Sequence, residues 1–187
     1  MGKPFLLPIL TDGHPTLRKA AKKVDEAELR QPAFQQLIDD MFHTMYEAPG
    51  IGLAAPQVDV SRRLIVVDLQ DDESRPYVFI NPKIVESEGE VRSVEGCLSV
   101  PGMVGDVVRF AKVTVSGLDR NGKRQRVTAT GLLGRCLQHE VDHLDGVLYI
   151  DKATNLRAAE SEAEQAAANE GGVAYDPHVD GAHSVAS

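Results

Sequence analysis

The pentapeptide His139-Glu140-Val141-Asp142-His143 constrains this chain more than any other stretch. It lies in Gly131 to Leu144, whose apolar spacing predicts a helix, with Thr130 as N-cap and Asp145-Gly146 as the stop. At about 100° per residue, the two histidines project about 40° apart, one turn up the same face. Imidazoles so placed can share one metal ion. Glu140 lies about 60° from His143 around the helix, where it can reach a water on that ion without ligating it. This is the general-base arrangement of metal hydrolases. Taken alone, the same face would also suit a polar, solvated helix surface.

A third ligand is left open. An H-x-x-G-x-x-H continuation fails, because Gly146 fits but Tyr149 holds the last His position. A glutamate from a following helix would be Glu160, Glu162 or Glu164, in a segment with little apolar periodicity. The other option is an upstream cysteine. Cys97, in Glu95-Gly96-Cys97-Leu98-Ser99-Val100-Pro101, would join two neutral imidazoles in a three-ligand site with a fourth position open to water. Cys136 precedes His143 by seven residues, about 10.5 Å along a helix, too far for one ion. It reads as a packed core thiol.

A third segment, Gly50-Ile51-Gly52-Leu53-Ala54-Ala55-Pro56-Gln57, alternates glycine with apolar residues. Such a backbone can approach a ligand with no Cβ in the way, or simply turn after the preceding helix. It lacks the Gly-Lys-Ser/Thr of a phosphate loop.

Phe34, Leu37, Ile38, Met41 and Met45 predict a helix over 33–47, opened by Pro32 and stopped by Pro49-Gly50. Strands are predicted over 63–69, 77–82 and 83–89. In the clearest hairpin, Val113, Val115 and Leu118 lead into an Asn121-Gly122 type I′ turn and Val127 returns. The fold class expected is α+β, with short antiparallel strands and hairpins packed around a central helix carrying the histidines. Residues 1–152 form the expected catalytic domain. Residues 153–187 form an acidic, Ala-rich tail, helical between about 154 and 169 and then disordered.

The 187 residues carry 20 basic and 28 acidic side chains, a formal charge of −8, which argues against a dedicated nucleic-acid binder. No apolar run approaches the roughly 18–20 residues of a membrane-spanning helix. The N-terminal apolar stretch is too short for a secretory signal and is interrupted by Pro4 and Pro8. With two cysteines and no export signal, the expected setting is cytoplasmic.

In their order along the chain, G-φ-G-φ-A-A-x-Q at 50–57, E-G-C-φ-S at 95–99 and H-E-x-x-H at 139–143 resemble the peptide deformylase family. Those metal-dependent hydrolases remove the formyl group from the N-terminal formyl-methionine of newly made proteins and release formate. The resemblance spans roughly residues 5–152 and includes the Asp119–Lys123 hairpin. It implies that Cys97, His139 and His143 bind one divalent metal ion, iron(II) foremost, with zinc, nickel or cobalt as alternatives. It implies that Glu140 is the acid/base, and that the Gln57 side chain and the Leu98 backbone N–H face the formyl oxygen. Ile51, Gly52 and Gly96 would lie along the peptide, and Leu132 and Cys136 would line the methionine pocket.

Against the best-known members of that family, Arg135 replaces an apolar pocket residue and Ser93 an aliphatic one, so a more polar pocket mouth is expected. Val104 and Pro49 replace a basic and an acidic residue. Glu95 and Arg109 are expected to pair, either in support of the site or on the surface, and Asp142 to orient a ligand histidine. Some members dock on the ribosome through a basic C-terminal helix. Here nothing after Arg157 is Lys or Arg. The expected partners are therefore N-formyl-methionyl nascent peptides, with the ribosome as a further candidate though without a basic docking tail, and neither a membrane nor sequence-specific nucleic acid.

Overall fold

The computed structural model describes residues 2–71 and 75–159. Among them, α1 (Glu26–Leu29) is one turn and α2 (Pro32–Glu47) starts at its proline as expected. There follow β1 (Gly52–Ala54), a 3-10 turn over Ala55–Val58, β2 (Leu64–Val67) and β3 (Tyr77–Glu88). The hairpin β4 (Val91–Cys97) and β5 (Val100–Arg109) precedes a second hairpin, β6 (Lys112–Leu118) and β7 (Arg124–Thr130). The histidine helix is α3 (Gly131–Leu144), and β8 (Thr154–Ala158) ends the described chain. None of the described helices is long and apolar enough to cross a membrane.

The strands form two antiparallel sheets, β1-β2-β3-β6-β7 and β4-β5-β8. Strand β2, Leu64-Ile65-Val66-Val67, is buried at every position. Its two faces serve two cores: Leu64 and Val66 pack with Phe34, Ile38, Met41 and Met45 of α2, while Ile65 and Val67 pack with Leu137, Val141 and Leu144 of α3. A continuous apolar run is what a strand covered on both faces requires. Polar contacts then join α3 to the second sheet: the Gln138 side chain bonds the Phe110 backbone on both sides, at 3.0 Å each. So α3 sits between the sheets, as an α+β fold built around that helix demands.

Three local expectations change. Residues 77–82 and 83–89 are one strand, interrupted by a bulge in which Asn81 adopts φ 52° and its side chain holds the Val24 backbone. The β6–β7 turn is not type I′. Asp119 Oδ1 accepts from Asn121 N and Lys123 N, and Gly122 alone among the loop residues has positive φ. Finally, Thr154–Ala158 is a strand on β5 and not the start of a helix. Ala-rich composition favours helix only where no partner competes; here Ala158 pairs with Met103 and Arg157 with Val104. The remainder of the expected helix and the expected disordered end lie outside the described residues.

Candidate active site

Cys97 is the last residue of β4, just before the Leu98-Ser99 turn into β5. Helix α3 carries His139 and His143 one turn apart, with rings edge to face and centroids 5.0 Å apart. Candidate ligand atoms of Cys97, His139 and His143 all lie within 4.8 Å of one another, and Cys97 Sγ is 3.2 Å from His143 Nε2. Two bonds of about 2.0–2.3 Å in tetrahedral geometry put donors about 3.3–3.8 Å apart, so a small contraction would close this set on one ion. One thiol and two imidazoles with their lone pairs converging are a fitting donor set for a divalent transition metal. Of the alternative third ligands, Glu160, Glu162 and Glu164 lie outside the described residues. Cys136 is not in the cluster. It is buried, its Sγ faces Ile51 O at 3.6 Å, and burial pushes its thiol well up, as a packed thiol requires.

Glu140 is 4 % exposed, and its Oε2 has no hydrogen-bond partner among the described residues. Burial pushes its carboxyl up to about 7, with Glu95 and Asp142 adding to the rise and His139 and Arg109 opposing it. Gly52 lies against this group. A Cβ there would collide with the Glu140 carboxylate and come within 2.7 Å of Cys136 Sγ. The glycine is thus required by the close approach of β1 to α3.

Gln57 is buried and held at both ends of its amide. Its Oε1 accepts from Ala54 N at 2.9 Å, and its Nε2 donates to Ser99 Oγ at 3.1 Å and lies 3.6 Å from Cys97 Sγ. The N-terminal segment straps the two loops together: Leu10 N donates to Gln57 O and Asp12 N to Ser99 O, both 2.8 Å. Ser99 closes the E-G-C-φ-S motif but was given no role in the sequence, and the strap was signalled by no motif, because it works through backbone hydrogen bonds.

The expected Glu95–Arg109 pair is present, buried and bidentate, with Glu95 Oε2 also 3.0 Å from His139 Nδ1. Burial would raise the Glu95 carboxyl, but hydrogen bonds from Arg109 and His139 outweigh it and hold the group at about 2. Glu95, then, is what fixes the His139 ring. Asp142, expected in that role, instead pairs with Arg109 and Lys152 and is linked to His139 through Arg109 and Glu95. Tyr149 stacks on the other side of His139, centroids 6.1 Å apart, and donates to Met103 O. His143 Nδ1 has no partner among the described residues.

These groups open into a cavity of about 540 Å³. Every predicted site residue but His143 lines it: Ile51, Gly52 and Gln57 from β1 and the turns beside it, Gly96, Cys97 and Leu98 from the end of β4 and its turn, and Leu132, Cys136, His139 and Glu140 from α3. Arg135, Val104 and Pro49 are in the wall as well, whereas Ser93 is not; its Oγ is buried on β4 without a hydrogen-bond partner among the described residues. Strands β1 and β4 are the edge strands of their sheets, and both border the cavity.

A family model for polypeptide deformylase matches residues 6–159. Peptide deformylase 2 of Xanthomonas axonopodis pv. citri (strain 306) is 56% identical over 152 residues, 81% of this chain and 89% of that protein. The crystal structure of a peptide deformylase from Legionella pneumophila aligns with a TM-score of 0.75 at 46% identity, covering 89% of this chain and 92% of that one. A class I type b peptide deformylase from Acinetobacter baumannii, with Met-Ala-Ser bound, gives a TM-score of 0.77 at 35% identity over 80% of this chain and 99% of that one. Sequence, fold and donor set agree, and the chain belongs to the polypeptide deformylase family, hydrolases that remove the formyl group from the N-terminus of nascent peptides.

Proposed function

We propose that Cys97, His139 and His143 hold one iron(II) ion, that Glu140 moves the proton of the reaction, and that Gln57 and the Leu98 N–H receive the formyl oxygen. The convergence of three ligand atoms within 4.8 Å, in one cavity with a buried carboxylate, carries this reading. When bound, the ion supplies the positive charge that makes a water acidic at neutral pH and polarises the formyl carbonyl. Glu140 accepts the proton of the attacking water and returns it to the amine nitrogen as the formyl C–N bond breaks. Its burial limits contact with bulk solvent, so the proton stays within the site. Negative charge growing on the formyl oxygen is met by two neutral donors, the Leu98 backbone N–H and the Gln57 amide. Ala54 N–H and Ser99 Oγ fix that amide, so it need not reorganise as the charge develops.

The peptide would lie as an added strand between the exposed edges of β1 and β4, alongside Ile51, Gly52 and Gly96. Ile51 O already accepts from Asp68 N at 2.9 Å, so Ile51 would offer its N–H and the second lone pair of that carbonyl. Leu132 and Cys136 would take the methionine side chain, consistent with Met-Ala-Ser bound to the Acinetobacter relative. The catalytic unit would be residues 1–152 completed by β8, acting in the cytoplasm, where formylated chains emerge. Formate release from a formyl-Met peptide, compared between wild type and Glu140→Gln, tests the assignment. The variant is expected to keep its metal and lose about 10²–10⁴-fold in turnover. Normal metal content with near-normal turnover would overturn the role given to Glu140.

A further inference from the structure

Among the described residues, three with a formal charge line the cavity: Glu95, Glu140 and Arg135. Glu95 is tied to Arg109 and His139, and Glu140 is buried below. Arg135 differs from both. It is half-buried in the wall, and no described residue gives it an ion pair or a hydrogen bond. Of the other described arginines, eight reach a carboxylate, and Arg75, Arg92 and Arg124, which have no such pair, lie outside the cavity wall. Elsewhere in the wall, Pro49 and Val104 contribute no charge. Among the described residues, the cavity wall therefore presents one cation without a counter-ion.

We infer that Arg135 makes the enzyme favour formylated chains with Asp or Glu as the third residue. This rests on the deformylase reading above, with the peptide as an added strand. In an extended strand, side chains of residues one and three share a face and stand about 6.8 Å apart. The first side chain enters the pocket walled by Leu132 and Cys136 of α3, so the third is directed along that same helix surface. Arg135 stands between those two residues in sequence and shares the cavity wall with them. Its planar guanidinium can donate two parallel hydrogen bonds to a carboxylate and offers nothing to a lysine but repulsion. The partly exposed position keeps the effect modest and sensitive to salt.

The test compares kcat/KM for formyl-Met-Ala-Glu-amide, formyl-Met-Ala-Gln-amide, formyl-Met-Ala-Lys-amide and formyl-Met-Glu-Ala-amide. The blocked C-terminus removes the terminal carboxylate as a second source of negative charge. Wild type is expected to prefer the third-position Glu peptide over the Lys peptide by about fivefold at low salt. That ratio should fall toward one at about 0.5 M salt. Arg135→Gln should bring the ratio close to one, and Arg135→Glu should invert it. These are ratios within one enzyme, so a change in overall rate does not obscure them. The same Glu-to-Lys ratio in wild type and Arg135→Gln would overturn the inference, as would a preference confined to Glu in second position. Formate released by wild type from none of the four peptides would instead overturn the deformylase reading itself.

Discussion

Arg109 holds both oxygens of the Glu95 carboxylate, through Nε and Nη2 at 2.8 Å each, with side chains only 3% and 8% exposed. The third guanidinium nitrogen goes to Asp142 on α3. One arginine from β5 thus sets the distance between the strand that ends in Cys97 and the helix that carries both histidines. Through Glu95 it also fixes the ring of His139.

Arg109→Met is accordingly expected to strand the Glu95 carboxylate, while Asp142 keeps Lys152. Breaking a buried pair by removing one partner costs about 3–5 kcal/mol, and here Glu95 would be left buried with only His139. Loss of a group that orients a metal ligand typically weakens metal affinity about 10–100-fold. Thermal unfolding and a chelator titration of metal content would read the two effects. A variant with unchanged unfolding and unchanged metal retention would show that the pair does not support the site.

Gly52→Ala probes the approach of β1 to α3. The added methyl must displace the Glu140 carboxylate and Cys136 Sγ. Overpacking of this kind costs about 1–3 kcal/mol, a loss that denaturant unfolding would resolve. Activity should fall further than stability, because Glu140 is the group pushed aside. Adding Cys136→Ala should recover part of the stability, since it frees the space beside the new methyl, but not the turnover. Full activity in the single variant would mean that Glu140 has another working position.

Much of this site was legible because helical periodicity is rigid: a five-residue pattern on α3 fixes two imidazoles and a carboxylate by angle alone. Cys97 was legible only through the motif around it. Its strand was not, since the Leu98-Ser99 turn contains none of the Gly, Asn or Pro residues that mark hairpins. Asn121-Gly122 marked a turn but the wrong type, because the Asp119 side chain captures the loop backbone. The choice between Glu95 and Asp142 as the partner of His139 depends on where Arg109 arrives from β5. Such a tertiary relationship leaves no trace in local pattern. Tyr149 was met in the sequence only as a residue that was not histidine, yet it packs on the His139 ring.

Iron and thiolate in one site carry a chemical liability. If Cys97 ligates iron(II), oxidation of either the ion or the sulfur ends activity. Nickel-loaded enzyme should then outlast the iron-loaded form in air by a wide margin, measured as half-life of formate release. Equal half-lives for the two preparations would mean that iron is not the working metal or that Cys97 is not a ligand.

The C-terminal boundary gives the last prediction. Ala158 pairs with Met103, Ala159 N donates to Gly102 O at 2.9 Å, and Ala159 lines the cavity. Beyond it the sequence has Glu160, Glu162, Glu164, Glu170, Asp176 and Asp180 and no Lys or Arg. Such a segment repels polyanionic RNA, where docking would need cations and weaken with salt. A chain ending after Ala159 should therefore deformylate small formyl-peptides within about twofold of the full chain, since all proposed chemical groups are upstream and the backbone pairing of β8 is kept. Its co-sedimentation with ribosomes should be no weaker than that of the full chain. A chain ending after Arg157 loses the last β8 pair and part of the cavity wall, and its KM should rise while its metal content holds. If the cut after Ala159 empties the metal site or abolishes a salt-sensitive ribosome contact, the acidic segment has a role that its charge does not suggest.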